Sequence, residues 1–220
     1  MKQQKASIRQ EDVSNNDELI VYVHHIGVSE QVLGPGKRVV VWLSGCPNNC
    51  PGCIEPEFRH LLNGQPYSVL NLFELIKPIL DQVGSITFSG GEPLFQYQAL
   101  LKLLRLMDHS YEVMLFSGFE LHEIEKDYPD ALPYIDILID GRFEIDKQGN
   151  YLWRGSENQK IYSPSNKYDD ATLNSWMNQK SAGVEVYFDQ NEVAIYGIPS
   201  KNTLDLLLDK IRSQNIEIER

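Results

Sequence analysis

Cysteine is scarce in this chain and confined to one place. Its three residues, Cys46, Cys50 and Cys53, share an eight-residue window, and no thiol occurs elsewhere. A disulfide framework spreads paired thiols over a fold in an oxidising compartment, so a disulfide-stapled scaffold is excluded. Basic charge is also short: 20 Lys and Arg stand against 31 Asp and Glu, for a net charge of −11. A sheath for nucleic acid needs the opposite sign, so DNA and RNA are set aside as partners. No apolar run reaches the roughly 18–20 residues that span a bilayer, so no membrane partner is expected. The opening "MKQQKASIRQEDVSNNDELI" has no apolar signal core, and a cytoplasmic location is expected. Low-complexity tracts and fixed-period repeats are missing too.

What remains has an ordinary globular composition, with 42% hydrophobic and 23% charged residues over 220 positions. That is enough for one sizeable core. Residues 1–17 read as a polar lead. "ELIVYVHHIG" reads as a strand, Gly34-Pro35-Gly36 forces a turn, and "RVVVWLS" reads as a buried strand. "VLNLFELIKPILDQV" (Val69–Val83) is helical in period, with Pro78 a kink or a boundary. "SITFSGGEPLF" is a strand followed by a Gly-Gly turn, and "QALLKLLRLMDH" is an amphipathic helix. "YEVMLFSG", "FELHEIEKDY" and "IDILIDGRF" continue as strand, helix, strand. Strand–helix alternation over residues 36–143 predicts parallel β/α units. Beyond them, "TLNSWMNQK" reads as a short helix and "GVEVYFDQNEVAIYGIP" as a hairpin turning at Asp189, Gln190 and Asn191. "NTLDLLLDKIRSQNIE" closes as an amphipathic helix whose leucines belong to a core. The divisions are a lead (1–17), a core (18–164) and a C-terminal extension (165–220).

Cys46-Pro47-Asn48-Asn49-Cys50-Pro51-Gly52-Cys53 spells C-x3-C-x2-C directly after a strand, where α/β folds carry their chemistry. A [4Fe–4S] cubane takes four thiolates; three leave one iron without a protein ligand and open to a small molecule. Pro47 and Pro51 stiffen the loop, and Gly52 allows close backbone approach. A zinc site completed by His24, His25 or His60 is the alternative at this point. The two histidines inside the first strand also suit plain burial.

C-x3-C-x2-C after one strand and Gly90-Gly91-Glu92-Pro93 after the next resemble the radical S-adenosylmethionine superfamily. "GPGKRVVVWLSGCPNNCPGC", "ITFSGGEPL", "LFSGF", "ILIDGRFE" and "LWRGSENQ" are similar, in order from Val32 to Gln159, to the activating proteins of anaerobic (class III) ribonucleoside-triphosphate reductases. Residues 160–220 lie beyond that likeness, and Gly52 stands where many superfamily members carry an aromatic.

The resemblance implies an α/β fold, a partial open (β/α)6 barrel with a small C-terminal α+β extension. It implies two cofactors, a [4Fe–4S] cluster on Cys46, Cys50 and Cys53 and S-adenosylmethionine. Gly90, Gly91 and Glu92 would meet the methionine amine, mostly through backbone. Gly52, Cys53 and Ile54 would flank the adenine, and Ser117 and Asp140 would line the same rim. The implied activity is reductive cleavage of S-adenosylmethionine to a 5′-deoxyadenosyl radical. The implied partner is a glycyl-radical enzyme of the anaerobic ribonucleotide reductase kind, entering an open side of the barrel. Arg154 and Asn158 would close the site or meet that partner. Lys37 and Arg38 would either receive an electron donor such as flavodoxin or form a solvated pair. Two other readings stay open: a radical enzyme acting on a ribosomal peptide or small molecule, and a non-catalytic iron–sulfur electron carrier.

Overall fold

A computed structural model describes residues 19–181, 183–188, 193–199 and 201–213. The lead at 1–17 and the hairpin turn at Asp189, Gln190 and Asn191 lie outside the described residues. In chain order, β1 (Ile20–Ser29) runs antiparallel to β2 (Arg38–Leu43), and β3 (Gln65–Ser68) pairs antiparallel with the other edge of β1. Then come α1 (Val69–Val83), β4 (Ser85–Gly90), α2 (Tyr97–Met107), β5 (Glu112–Phe116), α3 (Leu121–Asp127) and β6 (Ile137–Asp140). β7 (Gln148–Tyr151) and β8 (Arg154–Ser156) form a ribbon, and β9 (Lys160–Tyr162) joins β6 antiparallel. α4 (Asp170–Met177), the antiparallel pair β10 (Val184–Phe188) and β11 (Val193–Gly197), and α5 (Lys201–Arg212) complete the chain.

The main sheet has seven strands in the order β3-β1-β2-β4-β5-β6-β9. The α/β reading holds, with a difference in count. Only β2, β4, β5 and β6 are mutually parallel, where six parallel strands were expected. The order is open, ending at β3 and β9. β1 precedes the parallel run and has no helix to carry it across the sheet, so it returns as an antiparallel neighbour through the Gly34–Gly36 turn.

α1 has the bounds its period predicts. Ser68 caps its start by accepting from the Asn71 N–H, and Gly84 closes it at φ +75°, a left-handed geometry that glycine adopts without strain. Pro78 is not a boundary. It deprives the Glu74 carbonyl of a donor, but buried Val69, Leu72, Ile76 and Leu80 hold the helix on the sheet through Val83.

Side chains of the parallel strands alternate between two faces. Val39, Val41 and Leu43 pack with α1 and α2. On the other face, the register sets Val40 beside Thr87, Thr87 beside Met114, and Met114 beside Ile137. One step further along the strands, Trp42 lies beside Ser89 and Phe116 beside Ile139. This inner face is covered by chain after β6. Leu152, Trp153, Leu173, Trp176 and Met177 pack on Met114, Ile137 and Ile139, and Tyr187, Ala194 and Tyr196 of the hairpin pack on Val40, Trp42 and Phe116. In α5, Leu208 and Ile211 are buried while Leu206 is exposed. No helix among the described residues is long and apolar enough to cross a membrane.

At the amino ends of the strands, Arg38 is fully buried. Its guanidinium donates to Thr87 Oγ1 (2.7 Å), the Pro35 carbonyl (2.9 Å), the Ile86 carbonyl (3.1 Å) and Glu112 Oε1 (3.2 Å). Glu112 also pairs with Lys167 and accepts from the Tyr168 hydroxyl. Removing Arg38 takes the donor from the Thr87 hydroxyl and from the Pro35 and Ile86 carbonyls, and leaves Glu112 only Lys167 and Tyr168. Arg38→Ala is therefore expected to cost about 3–5 kcal/mol in a denaturant titration. Lys37→Ala, which breaks only an exposed pair with Glu30, should cost at most about 1 kcal/mol.

Candidate functional site

The cysteine loop leaves the carboxyl end of β2 and is braced by the 3-10 turn at Pro56–Arg59. The Gly45 N–H donates to the Phe58 carbonyl at 2.7 Å and the Cys46 N–H to the Arg59 carbonyl at 3.1 Å. The Arg59 guanidinium reaches back to Asn49 Oδ1 (2.7 Å) and the Cys50 carbonyl (3.3 Å). Within the loop, the Cys53 N–H donates to the Cys50 carbonyl at 3.2 Å, and Gly52 sits at φ +74°. A side chain at 52 would strike Ile145, with Phe143 beside it. The "DGRFE" segment and Ile145 thus fill the space beside Gly52.

All three thiols are free and half-buried. Burial pushes the Cys46 thiol up, and neighbouring Glu92, Cys50 and Cys53 add to the rise. Among the described residues, no three His, Cys, Asp or Glu side chains converge on a point where a single ion would sit. A cubane takes each thiolate on a different iron, so its ligands ring a volume instead of meeting at a point. Three thiols on one braced loop, with Gly52 opening the backbone, suit that donor arrangement. His24 packs its ring on Phe58 at 4.0 Å, and His25 pairs its Nε2 with the Tyr196 hydroxyl at 2.8 Å.

The Gly-Gly-Glu-Pro turn locks onto the start of the loop. The Gly91 N–H donates to the Leu43 carbonyl (2.8 Å) and the Glu92 N–H to the Gly45 carbonyl (2.9 Å). A Cβ at Gly90 would collide with the Leu43 backbone, and one at Gly91 with the Gly45 carbonyl. With these amides committed, the turn offers a ligand carbonyl oxygens, which suit a donor such as an ammonium group.

Glu92 is 1% exposed. Its Oε1 accepts from the Leu94 N–H (3.1 Å) and the Ser117 hydroxyl (3.0 Å), and its Oε2 from the Gly118 N–H (2.6 Å). The carboxylate thus ties the turn after β4 to the end of β5. Asn48, from the cysteine loop, sits against Gly118. Burial raises the Glu92 pKa to about 7 against the pull of these donors. Asp140 has a similar bracing place: Oδ2 accepts from the Leu121 N–H at 2.8 Å and Oδ1 from the Lys160 N–H at 3.2 Å, and burial pushes its carboxyl up. Ile54 is exposed next to Cys53.

Cys46, Gly90, Gly91, Glu92, Ser117 and Asn48 are therefore brought together, and Asp140 ends the adjoining strand. The Lys37–Arg38 pair is not among them. It lies at the far end of β2, with Arg38 buried and Lys37 paired to Glu30, so it forms no basic patch beside the thiols. Arg154 is buried as well, donating to the Gln159 (3.0 Å) and Met177 (2.6 Å) carbonyls. Asn158 donates to the Arg142 carbonyl at 2.8 Å. Sequence reading missed Asn48, Arg59 and Gln96, whose side-chain amide joins the Tyr22 and Ser44 carbonyls at 2.8 Å each. Gln96 acts through main-chain partners 74 and 52 residues away, and Asn48 meets Gly118 from another strand end, neither of which a spacing rule exposes.

Residues 32–162 match the family described as 4Fe-4S single cluster domain. The anaerobic ribonucleoside-triphosphate reductase-activating protein of Enterobacteria phage T4 is 30% identical over 138 residues, 60% of this chain and 87% of that protein. The proteins of the same name from Escherichia coli K12 and Pasteurella multocida are 31% and 32% identical, each over 60% of this chain and 91% and 90% of theirs. Among solved structures, QueE from Escherichia coli superposes with a TM-score of 0.42 at 12% identity, over 89% of this chain and 91% of that one. That likeness is too slight to carry an argument.

The Glu92 carboxyl holds its proton more tightly folded than unfolded. Its contribution to stability is whole below the unfolded carboxylate range and is lost as pH rises toward and through about 7. Between about pH 5 and about pH 8, wild type should lose on the order of 3 kcal/mol relative to Glu92→Gln, read from urea titrations at each pH.

Proposed function

The chain belongs to the 4Fe-4S single cluster domain family, and from that premise we propose that it is a radical S-adenosylmethionine enzyme that activates a glycyl-radical partner. In this reading it reductively cleaves S-adenosylmethionine to a 5′-deoxyadenosyl radical, which takes a hydrogen from a glycine of an anaerobic ribonucleotide reductase-like protein. The observation that carries the reading is the placement of all three thiols on one braced loop, hydrogen-bonded at its root to Gly91 and Glu92. The names of the relatives support the partner.

Cys46, Cys50 and Cys53 would hold the [4Fe–4S] cluster. When bound, it supplies one electron and an iron with no protein ligand. The chain's own residues supply orientation. The carbonyls of Gly90 and Gly91 accept from the methionine amine, and Gly52, Cys53 and Ile54 flank the adenine. Glu92, Ser117 and Asp140 hold the three strand ends in register around that place, a positioning role that their internal hydrogen bonds favour. Residues 18–164 carry the chemistry and 165–220 form the extension. An electron donor such as flavodoxin stays part of the reading, without a docking place at Lys37 and Arg38. A cytoplasmic location, with neither nucleic acid nor membrane as partner, completes the reading.

The reduced protein, handled without oxygen, should convert S-adenosylmethionine to methionine and 5′-deoxyadenosine. A glycyl radical should then appear by electron paramagnetic resonance on an added anaerobic reductase. Cleavage without a radical on the reductase would point to a peptide or small-molecule substrate, and an absence of cleavage to an electron carrier. Alanine at Cys46, Cys50 or Cys53 should each abolish cleavage; full activity in Cys50→Ala overturns the ligand assignment. Gly91→Ala should weaken S-adenosylmethionine binding by about tenfold or more, since the added Cβ pushes the turn off Gly45. The visible absorbance of the cluster should remain.

A further inference from the structure

The family match spans residues 32–162. Two pieces of structure outside it, β1 and the β10–β11 hairpin, are fastened to one another. Glu185 of β10 accepts from three successive backbone amides after β1: Glu30 (3.0 Å), Gln31 (2.8 Å) and Val32 (3.1 Å). Burial opposes the charge, but these donors hold the Glu185 carboxyl below the ordinary range. On β11, Tyr196 is 8% exposed and its hydroxyl pairs with His25 Nε2 at 2.8 Å. Its phenol stands where a side chain at Gly27 would be, so Gly27 serves as its socket.

The Tyr196 ring does not stop at β1. Its centroid lies 4.8 Å from that of Trp42 and 5.9 Å from that of His25, and the Trp42 and His25 centroids are 5.2 Å apart, so the three rings form one cluster. Trp42 shares this apolar cluster with Phe116. Both sit at the carboxyl ends of their strands. Trp42 comes two residues before Ser44, where the cysteine loop begins, and Phe116 comes directly before Ser117, which bonds Glu92. The pair lies on the inner face, one step below the loops that carry Cys46, Gly90 and Gly91. Below it, the hairpin and α4 cover the rest of that face.

We propose that Tyr196 is a positioning residue: it fixes the half-buried Trp42 ring as an aromatic floor beneath the cysteine loop, on the inner face of the sheet. Tyr196 acts through Trp42. An indole with one face unsupported can leave its rotamer, and the floor then opens toward the amino ends of the strands. The consequence for chemistry rests on the proposed use of the cysteine loop; the floor itself does not.

Two readouts separate these. The first needs no cofactor. The chain has three tryptophans; with Trp153→Phe and Trp176→Phe in the background, acrylamide quenching reports on Trp42 alone. Tyr196→Ala should raise the quenching constant several-fold, while Tyr196→Phe, which keeps the ring and loses only the His25 bond, should stay near wild type. The second uses the reconstituted protein. Tyr196→Ala should raise the KM for S-adenosylmethionine about tenfold with the iron content unchanged, and Tyr196→Phe should restore it to within about twofold. Phe188→Ala, exposed on the same hairpin, should alter neither. Unchanged quenching in Tyr196→Ala overturns the floor. Raised quenching with a wild-type KM overturns the positioning role. A wild-type chain that cleaves nothing while Tyr196→Ala still exposes Trp42 upholds the floor and overturns the proposed function. Should Tyr196→Ala fail to fold, Tyr196→Leu keeps bulk without the ring and is read the same way.

Discussion

Two main-chain hydrogen bonds set the geometry of everything at the carboxyl ends of the strands. Gly91 donates to Leu43 and Glu92 to Gly45, and neither bond forms unless positions 90 and 91 lack a side chain. They carry the pairing of β2 and β4 past the ends of the strands, so that the thiol loop and the Gly-Gly-Glu-Pro turn share one origin. Glu92 then extends the register to β5 through Ser117 and Gly118, and Asp140 extends it from β6 to α3 and β9. Each carboxylate is buried because it substitutes for main-chain partners that loops cannot supply.

The two ends of the parallel strands are built on different principles. At the amino ends, Arg38 and Glu112 form a charged knot with Lys167 and Tyr168 that ties the strands together. At the carboxyl ends, the backbone is opened by glycines and the thiols stay half-buried. Parallel α/β sheets commonly divide stability and chemistry this way.

How much of this could be read in the residues depends on the range of the interactions. The bounds of α1, the parallel run and the hairpin follow from local period, capping and β-branched runs, and they appear where expected. The cysteine spacing is local too. β3 was not legible, because Gln65-Pro66-Tyr67-Ser68 has no alternation and exists as a strand only because β1 offers an edge. Lys37-Arg38 reads as a surface pair, yet strand alternation sends Arg38 inward to partners as far along the chain as Glu112. Ser117 and Asp140 read as ligands because they end strands at glycines, while their partners lie 19 to 25 residues away in sequence. The hairpin was visible as a shape; its destination, the socket at Gly27, was not.

The clasp between Glu185 and the turn after β1 has a consequence for how the chain comes into being. The residues it joins are separated by 153 to 155 positions, and Tyr196 reaches His25 across 171. Closing so long a loop brings its reward only late in folding. On the ribosome, the parallel strands and their helices are all synthesised while the inner flank of β1 and β2 still lacks its cover. Trp42 and Val40 wait exposed until the β10–β11 hairpin emerges. The nascent protein thus passes through a stage with a bare aromatic flank, which a chaperone or another nascent chain can meet before its own hairpin does.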